Sequence, residues 1–137
     1  MMKTEIILIR HGQANTGAKD EESYDQLSDT GHQQANWLGD YLRGHGEVFD
    51  RVICGSLKRH RETAFGLGLP YEVIVDPRVN EMRYFDLAHE FHAQTNTPVP
   101  NSAEEFAQHV PHLFTAWQNG SLDNAHVSYR DFAQRFK

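Results

Sequence analysis

An uninterrupted apolar run, Ile6-Ile7-Leu8-Ile9, ends abruptly on Arg10-His11-Gly12. A short run apolar at every position, rather than at alternate ones, suits a strand buried on both faces of a parallel sheet. The spacing predicts that strand over Glu5–Ile9 and a polar loop from Arg10 to Gln26. Leu27-Ser28-Asp29-Thr30-Gly31 then opens a helix running to about Arg43, with Ala35, Leu38 and Leu42 as its apolar stripe and Gly44 and Gly46 as its stop. A second strand, Arg51–Cys54, passes through Gly55-Ser56 into a helix over 57–67. A third, Tyr71–Val75, stops at Asp76-Pro77.

Strand and helix in alternation imply βαβ units and right-handed crossovers. The expected fold is therefore α/β, a mostly parallel sheet flanked by helices, in a single domain spanning 1–137. Arg78–Pro100 shows no clear period and reads as a long excursion. Ser102-Ala103-Glu104-Glu105 is a capping box opening a helix that carries Phe106, Val110, Leu113, Phe114 and Trp117, with Pro111 as a point of kinking. A last helix starts at Ser128.

Bulk properties exclude several functions. The net charge of −6 and the absence of a basic stripe argue against nucleic-acid binding. No run of 18 apolar residues exists to span a membrane. The apolar segment near the N-terminus is too short for a signal sequence, so the expected location is cytoplasmic. A lone Cys54 fits a reducing compartment. A few clustered arginines can still hold an anion against a negative mean field.

Open parallel sheets bind ligands beyond the carboxyl ends of their strands. Three such ends carry chemistry: Arg10-His11-Gly12, the Gly55–Arg59 turn, and Glu81. Forked donors on Arg10 and Arg59 suit a phosphate clamp. His11 offers a ring nitrogen as nucleophile, and Gly12 allows the backbone close to an anion. Glu81 can protonate a leaving oxygen, with Asp86 and Glu90 as nearby alternatives, while Gln13 and Asn15 lie in the first loop where they can touch a substrate. Two guanidinium groups and a helix N-terminus neutralise developing charge without a metal, so no metal or cofactor is expected. Other chemistries miss on spacing. A cysteine phosphate loop starting at Cys54 needs arginine at position 60, which is His60. His89-Glu90-Phe91-His92 lacks the i, i+4 pair of a zinc helix. His32, His45 and His126 read as surface residues.

Leu8–Ala14 resembles the RHG signature of the histidine phosphatase, or phosphoglycerate mutase-like, superfamily. Leu27–Ala35 is similar to that family's L-T-x-x-G-x-x-Q-A segment, Val52–Ala64 to its S-S-P-L-x-R-A-x-x-T-A turn, and Asn80-Glu81-Met82 falls where the family places its acid. The resemblance implies His11 as nucleophile, Arg10 and Arg59 as phosphate ligands and Glu81 as proton donor. It implies a phosphatase acting on a small phosphorylated substrate, with mutase-like phosphotransfer as an alternative. Ser56 and His60 depart from the usual Pro and Ala. The family's second histidine, in a late S-H-G-G strand, has no counterpart after Trp117. The expectation is thus a C-terminally incomplete fold whose second strand lacks a neighbour and whose apolar edges favour dimerisation or an element swap. It also leaves a non-catalytic phosphate-binding domain as a reading. Substrate choice is expected of Met82–Pro100, where Arg83, Tyr84, Phe85 and His89 are the candidate lining.

Overall fold

The computed structural model describes residues 3–124 and 126–137. Along the chain run α1 (Glu21–Tyr24), α2 (Asp29–Gly44), β1 (Val52–Cys54), α3 (Lys58–Gly66), β2 (Val73–Val75), a 3-10 turn (Pro77–Val79), α4 (Tyr84–Thr95), α5 (Ala103–Gln118) and α6 (Tyr129–Gln134). The residues gather in two compact units. One comprises the stretch up to Thr16 with Asp25–Pro77, the other Gly17–Tyr24 with Arg78–Lys137.

The first unit is a small α/β assembly. β1 and β2 pair in parallel, Val52 opposite Val73, Ile53 opposite Ile74 and Cys54 opposite Val75. α3 makes the connection between them. The second strand therefore has a neighbour, the third, contrary to expectation. Among the described residues both strands are edges, and Ile53, Ile74 and Val75 are exposed. α2 packs on α3 over a small core of Ala35, Leu42, Ala64 and Leu67. Ser28 caps α2, its side chain accepting from Gly31 N–H. At the other end Gly46 turns left-handed, φ +67°, donating to Arg43 O while Glu47 N–H reaches Leu42 O. That paired closure needs a residue without the Cβ penalty at positive φ. Cys54 is buried, as expected of a small apolar residue at a strand end.

The strand expected over Glu5–Ile9 does not form. Residues 3–10 have no regular structure and are exposed, Leu8 at 91%. An apolar run becomes a strand only when a neighbour takes its backbone hydrogen bonds, and among the described residues β1 and β2 pair with one another alone.

The second unit is helical. The expected excursion over 78–100 contains α4, twelve residues long. Tyr84, Leu87, Ala88 and Phe91 recur at i, i+3, i+4 and i+7, and they meet Leu113, Trp117 and Leu122 in one core. Ser102 Oγ accepts from Glu105 N–H at 3.1 Å, and Glu105 Oε2 accepts from Asn101 N–H at 2.7 Å, one residue earlier than a standard capping box. α5 continues through Pro111. Inside the core the Tyr84 hydroxyl and His109 Nδ1 are 3.0 Å apart; burial pushes Tyr84 up to about 12 and His109 down. His126 is half-buried rather than on the surface: its Nε2 accepts from Arg83 N–H at 2.7 Å and its ring stands edge-on to Trp117. His32 and His45 are exposed.

Candidate active site

The described residues that carry the candidate chemistry in the first unit lie on one segment, 10–15, and on the start of α3. His11 is half-buried, and its Nδ1 sits 2.7 Å from Gly12 O. A carbonyl only accepts, so Nδ1 carries a proton, and in the neutral ring the lone pair is then on Nε2. That is the tautomer a nucleophilic imidazole needs.

The loop is tied to α3 by Thr63. Gly12 N–H donates to Thr63 Oγ1 at 3.0 Å, and that hydroxyl donates onward to Arg59 O at 2.8 Å. Arg59 is 1% exposed, and its Nη1 pairs with Asp25 Oδ1 at 3.2 Å. The same carboxylate accepts from Lys58 N–H at 3.0 Å and Arg59 N–H at 2.9 Å. Burial alone raises the Asp25 pKa, but the two amide donors and the Arg59 guanidinium outweigh it, so the carboxyl is held below the usual range. Its stabilising effect is full above the ordinary carboxylate value and is lost as pH falls through the depressed one. The first two amides of α3 are thus engaged by Asp25. His60, next on the helix, holds its ring 5.9 Å from that of His11, tilted 42°.

On the other side the loop is pinned to α2. Gln13 N–H donates to Gln34 Oε1 at 2.9 Å, and Gln13 O accepts from Ser28 N–H at 2.9 Å. Ser28 Oγ donates to Gln13 Oε1 at 2.7 Å. Asn15 N–H donates to Gln26 O at 2.8 Å beside an isolated bridge between Ala14 and Leu27. Leu27 N–H in turn donates to Glu62 Oε1, whose partner oxygen lies 3.2 Å from His32 Nε2. Gln13 and Asn15 thus position the loop through these bonds.

This pinning rests on a close backbone approach. A Cβ at Gly31 meets Gln13 O at 2.1 Å, and one at Gly12 meets Gly31 O at 2.5 Å. Backbone cannot swing aside as a side-chain tip can. Gly31→Ala is expected to cost about 1–3 kcal/mol through overpacking and to lower any turnover with it. Gly44→Ala is the control, since nothing lies within 4 Å of a Cβ there. Thermal unfolding compares the two; equal melting temperatures would remove the close approach from the account.

The remaining predicted residues are distributed differently. Arg10 lies on the exposed segment just before His11, an environment opposite to that of Arg59. Glu81 belongs to the second unit, half-buried between the 3-10 turn and α4. Asp25, His60 and Thr63 went unread as site residues. Asp25 and Arg59 are 34 positions apart with no periodic relation, so no local signal links them. Among the described residues no three or more His, Cys, Asp or Glu side chains group as metal ligands, and no helix is long and apolar enough to cross a membrane.

The sequence model of the histidine phosphatase superfamily (branch 1) matches residues 6–137. A broad-specificity phosphatase of Saccharomyces cerevisiae is 39% identical over 61 residues, 42% of this chain and 26% of the yeast protein. The mitochondrial serine/threonine-protein phosphatase Pgam5 of Drosophila grimshawi is 42% identical over 60 residues, 43% of this chain and 20% of its own length. Among solved structures, a candidate alpha-ribazole-5'-P phosphatase of Escherichia coli K-12 superposes with TM-score 0.60 at 23% identity, covering 93% of this chain and 60% of the other. A mycobacterial glucosyl-3-phosphoglycerate phosphatase complexed with VO3 gives TM-score 0.56 at 23% identity, covering 91% and 59%. The chain thus spans about 60% of the structures it resembles, and the aligned stretches span 26% and 20% of the two sequence relatives. These two superpositions establish the fold, and the match from residue 6 to residue 137 places the chain in the histidine phosphatase superfamily.

Proposed function

We propose that this chain is a metal-independent phosphatase that hydrolyses a small phosphomonoester through a phosphohistidine on His11. The observation that carries the reading is the 2.7 Å bond from His11 Nδ1 to Gly12 O, which leaves Nε2 as a lone-pair donor on the loop tied to the buried Arg59. In the first half-reaction Nε2 attacks phosphorus and the P–O ester bond breaks. The leaving oxygen takes a proton from Glu81, the residue that the motif order assigns as acid. In the second, Glu81 takes a proton from water as the water oxygen bonds to phosphorus, and the P–N bond breaks to return the electron pair to Nε2. Arg59, with Arg10, stabilises the phosphoryl oxygens as charge builds on them, and Gly12, without a side chain, lets the backbone come close to them. Gln13 and Asn15 hold the loop and border the phosphate.

The test is hydrolysis of p-nitrophenyl phosphate in excess chelator, with rapid quenching to trap phosphorylated protein. The expected result is turnover unaffected by chelator and a trapped phosphate that is labile to acid and stable to alkali, the behaviour of a P–N bond. Turnover only on adding a divalent cation, or an acid-stable phosphoprotein, would overturn the mechanism.

A further inference from the structure

We propose that Asp25 is the positioning residue of the phosphate clamp, holding the Arg59 guanidinium in a fixed plane and covering the first two amides of α3. The inference deepens the phosphatase reading and rests on it. A guanidinium that is 1% exposed must be paired, because an unpaired buried charge is heavily penalised. Asp25 does more than pair it. One oxygen, Oδ1, accepts both the backbone N–H of Arg59, at 2.9 Å, and its Nη1, at 3.2 Å. Backbone and side-chain tip of one residue are thereby anchored to one atom, which restricts the intervening torsions. Oδ2 takes the Lys58 amide at 3.0 Å, so the carboxylate cannot rotate away without losing a third bond.

The plane of an arginine fork decides which face of a phosphate it can grip, and a fixed plane spares the ordering cost when the anion arrives. Asp25 also removes a competing anion site. With the Lys58 and Arg59 amides engaged, a phosphate is directed to the guanidinium and away from the helix end. The two amides and the Arg59 guanidinium outweigh burial and hold the Asp25 carboxyl below the usual carboxylate range, which favours its charged, pairing form. The same contacts also cap α3, whose own cap residue, Leu57, contributes no side-chain bond. A pure cap and a positioning residue differ in what they move: the first changes stability, the second changes phosphate recognition through Arg59.

A double-mutant cycle separates them. Asp25→Asn, Arg59→Ala and the double variant are compared for kcat and KM on p-nitrophenyl phosphate, for inhibition by inorganic phosphate, and for melting temperature. Arg59→Ala is expected to lose about 100-fold or more in kcat/KM, as loss of one preorganised donor does. Asp25→Asn is expected to lose about tenfold or more, since small misplacement of a binding group is costly. The double variant should match Arg59→Ala within about threefold, because Asp25 acts through Arg59. Asp25→Glu, which restores the charge, should recover part of the loss. If Asp25→Asn does not fold, Asp25→Ser, which keeps an oxygen acceptor for the amides, carries the same expectation.

Asp25→Asn with a lower melting temperature but unaltered kcat/KM and phosphate inhibition would overturn the inference and leave Asp25 a cap. Fully additive losses in the double variant would overturn it too. A wild-type protein that neither turns over the ester nor binds inorganic phosphate would overturn the phosphatase reading itself, and this inference with it. Wild-type activity with an indifferent Asp25→Asn sinks the inference alone.

Discussion

His11→Ala is expected to lower kcat by on the order of 10⁴-fold or more, while the protein stays folded. The nucleophile has no stand-in of equal chemistry at the same place. Removing a bond-forming atom forces the reaction onto direct attack by water, whereas removing a charge donor only weakens an interaction. The stability effect should be small by comparison. The His11 side chain bonds Gly12 O through Nδ1 and sets a half-buried ring against that of His60. A neutral side-chain to backbone bond is worth about 0.5–1.5 kcal/mol. Turnover and melting temperature, measured on the same preparation, therefore diverge for His11→Ala. His11→Asn sharpens the comparison, since its amide can still donate to Gly12 O but cannot form the intermediate. Activity within about tenfold of wild type in either variant would remove His11 as nucleophile. The expected order, His11→Ala far below Arg59→Ala and Arg59→Ala below Asp25→Asn, is itself a signature of nucleophile, clamp and positioning residue.

That ranking shows which parts of the site were readable from residues in a line. His11 and Arg59 announce themselves because each sits at the end of an apolar segment within a short pattern. The elements around Arg59 were readable for the same local reason: Ser28 before α2, the Gly46 stop, and the strand–turn–helix run from Val52 through Gly66 all carry their signals within a few residues. The strand over Glu5–Ile9 failed because its apolar pattern states only a preference for burial. Whether it becomes a strand depends on a partner elsewhere in the chain, and among the described residues none pairs with it. α4 was missed although Tyr84, Leu87, Ala88 and Phe91 hold helical spacing. Its cap position, Arg83, makes no capping bond and breaks no pattern, and polar residues surround the stripe. Asp25 marks the limit of such reading. Its carboxylate finds the first residue of α3 across a sequence separation of 33, and only the fold brings them together.

Trp117→Ala is expected to destabilise the helical unit by about 3–5 kcal/mol. The indole is 3% exposed and lies in the same core as Leu87, Ala88, Leu113 and Leu122, each of which is fully buried. Rings of His126, Tyr129 and Phe132 surround it at centroid distances of 5.5, 5.3 and 5.1 Å. Its Nε1–H donates to Val127 O at 3.0 Å, so the substitution also leaves a carbonyl without that donor. Trp117→Phe isolates this part: most apolar surface remains, the donor goes, and a loss of about 1–2 kcal/mol should follow. Urea unfolding followed by circular dichroism measures both. With a slope of about 1–3 kcal/mol per molar, Trp117→Ala should shift the midpoint down by more than about 1 M. Against a total stability typically of about 5–15 kcal/mol, a cost of that size removes a large share of the margin. Midpoints for the two variants that coincide would mean the indole's volume contributes nothing beyond its hydrogen bond, and the core would have to be placed elsewhere in the unit.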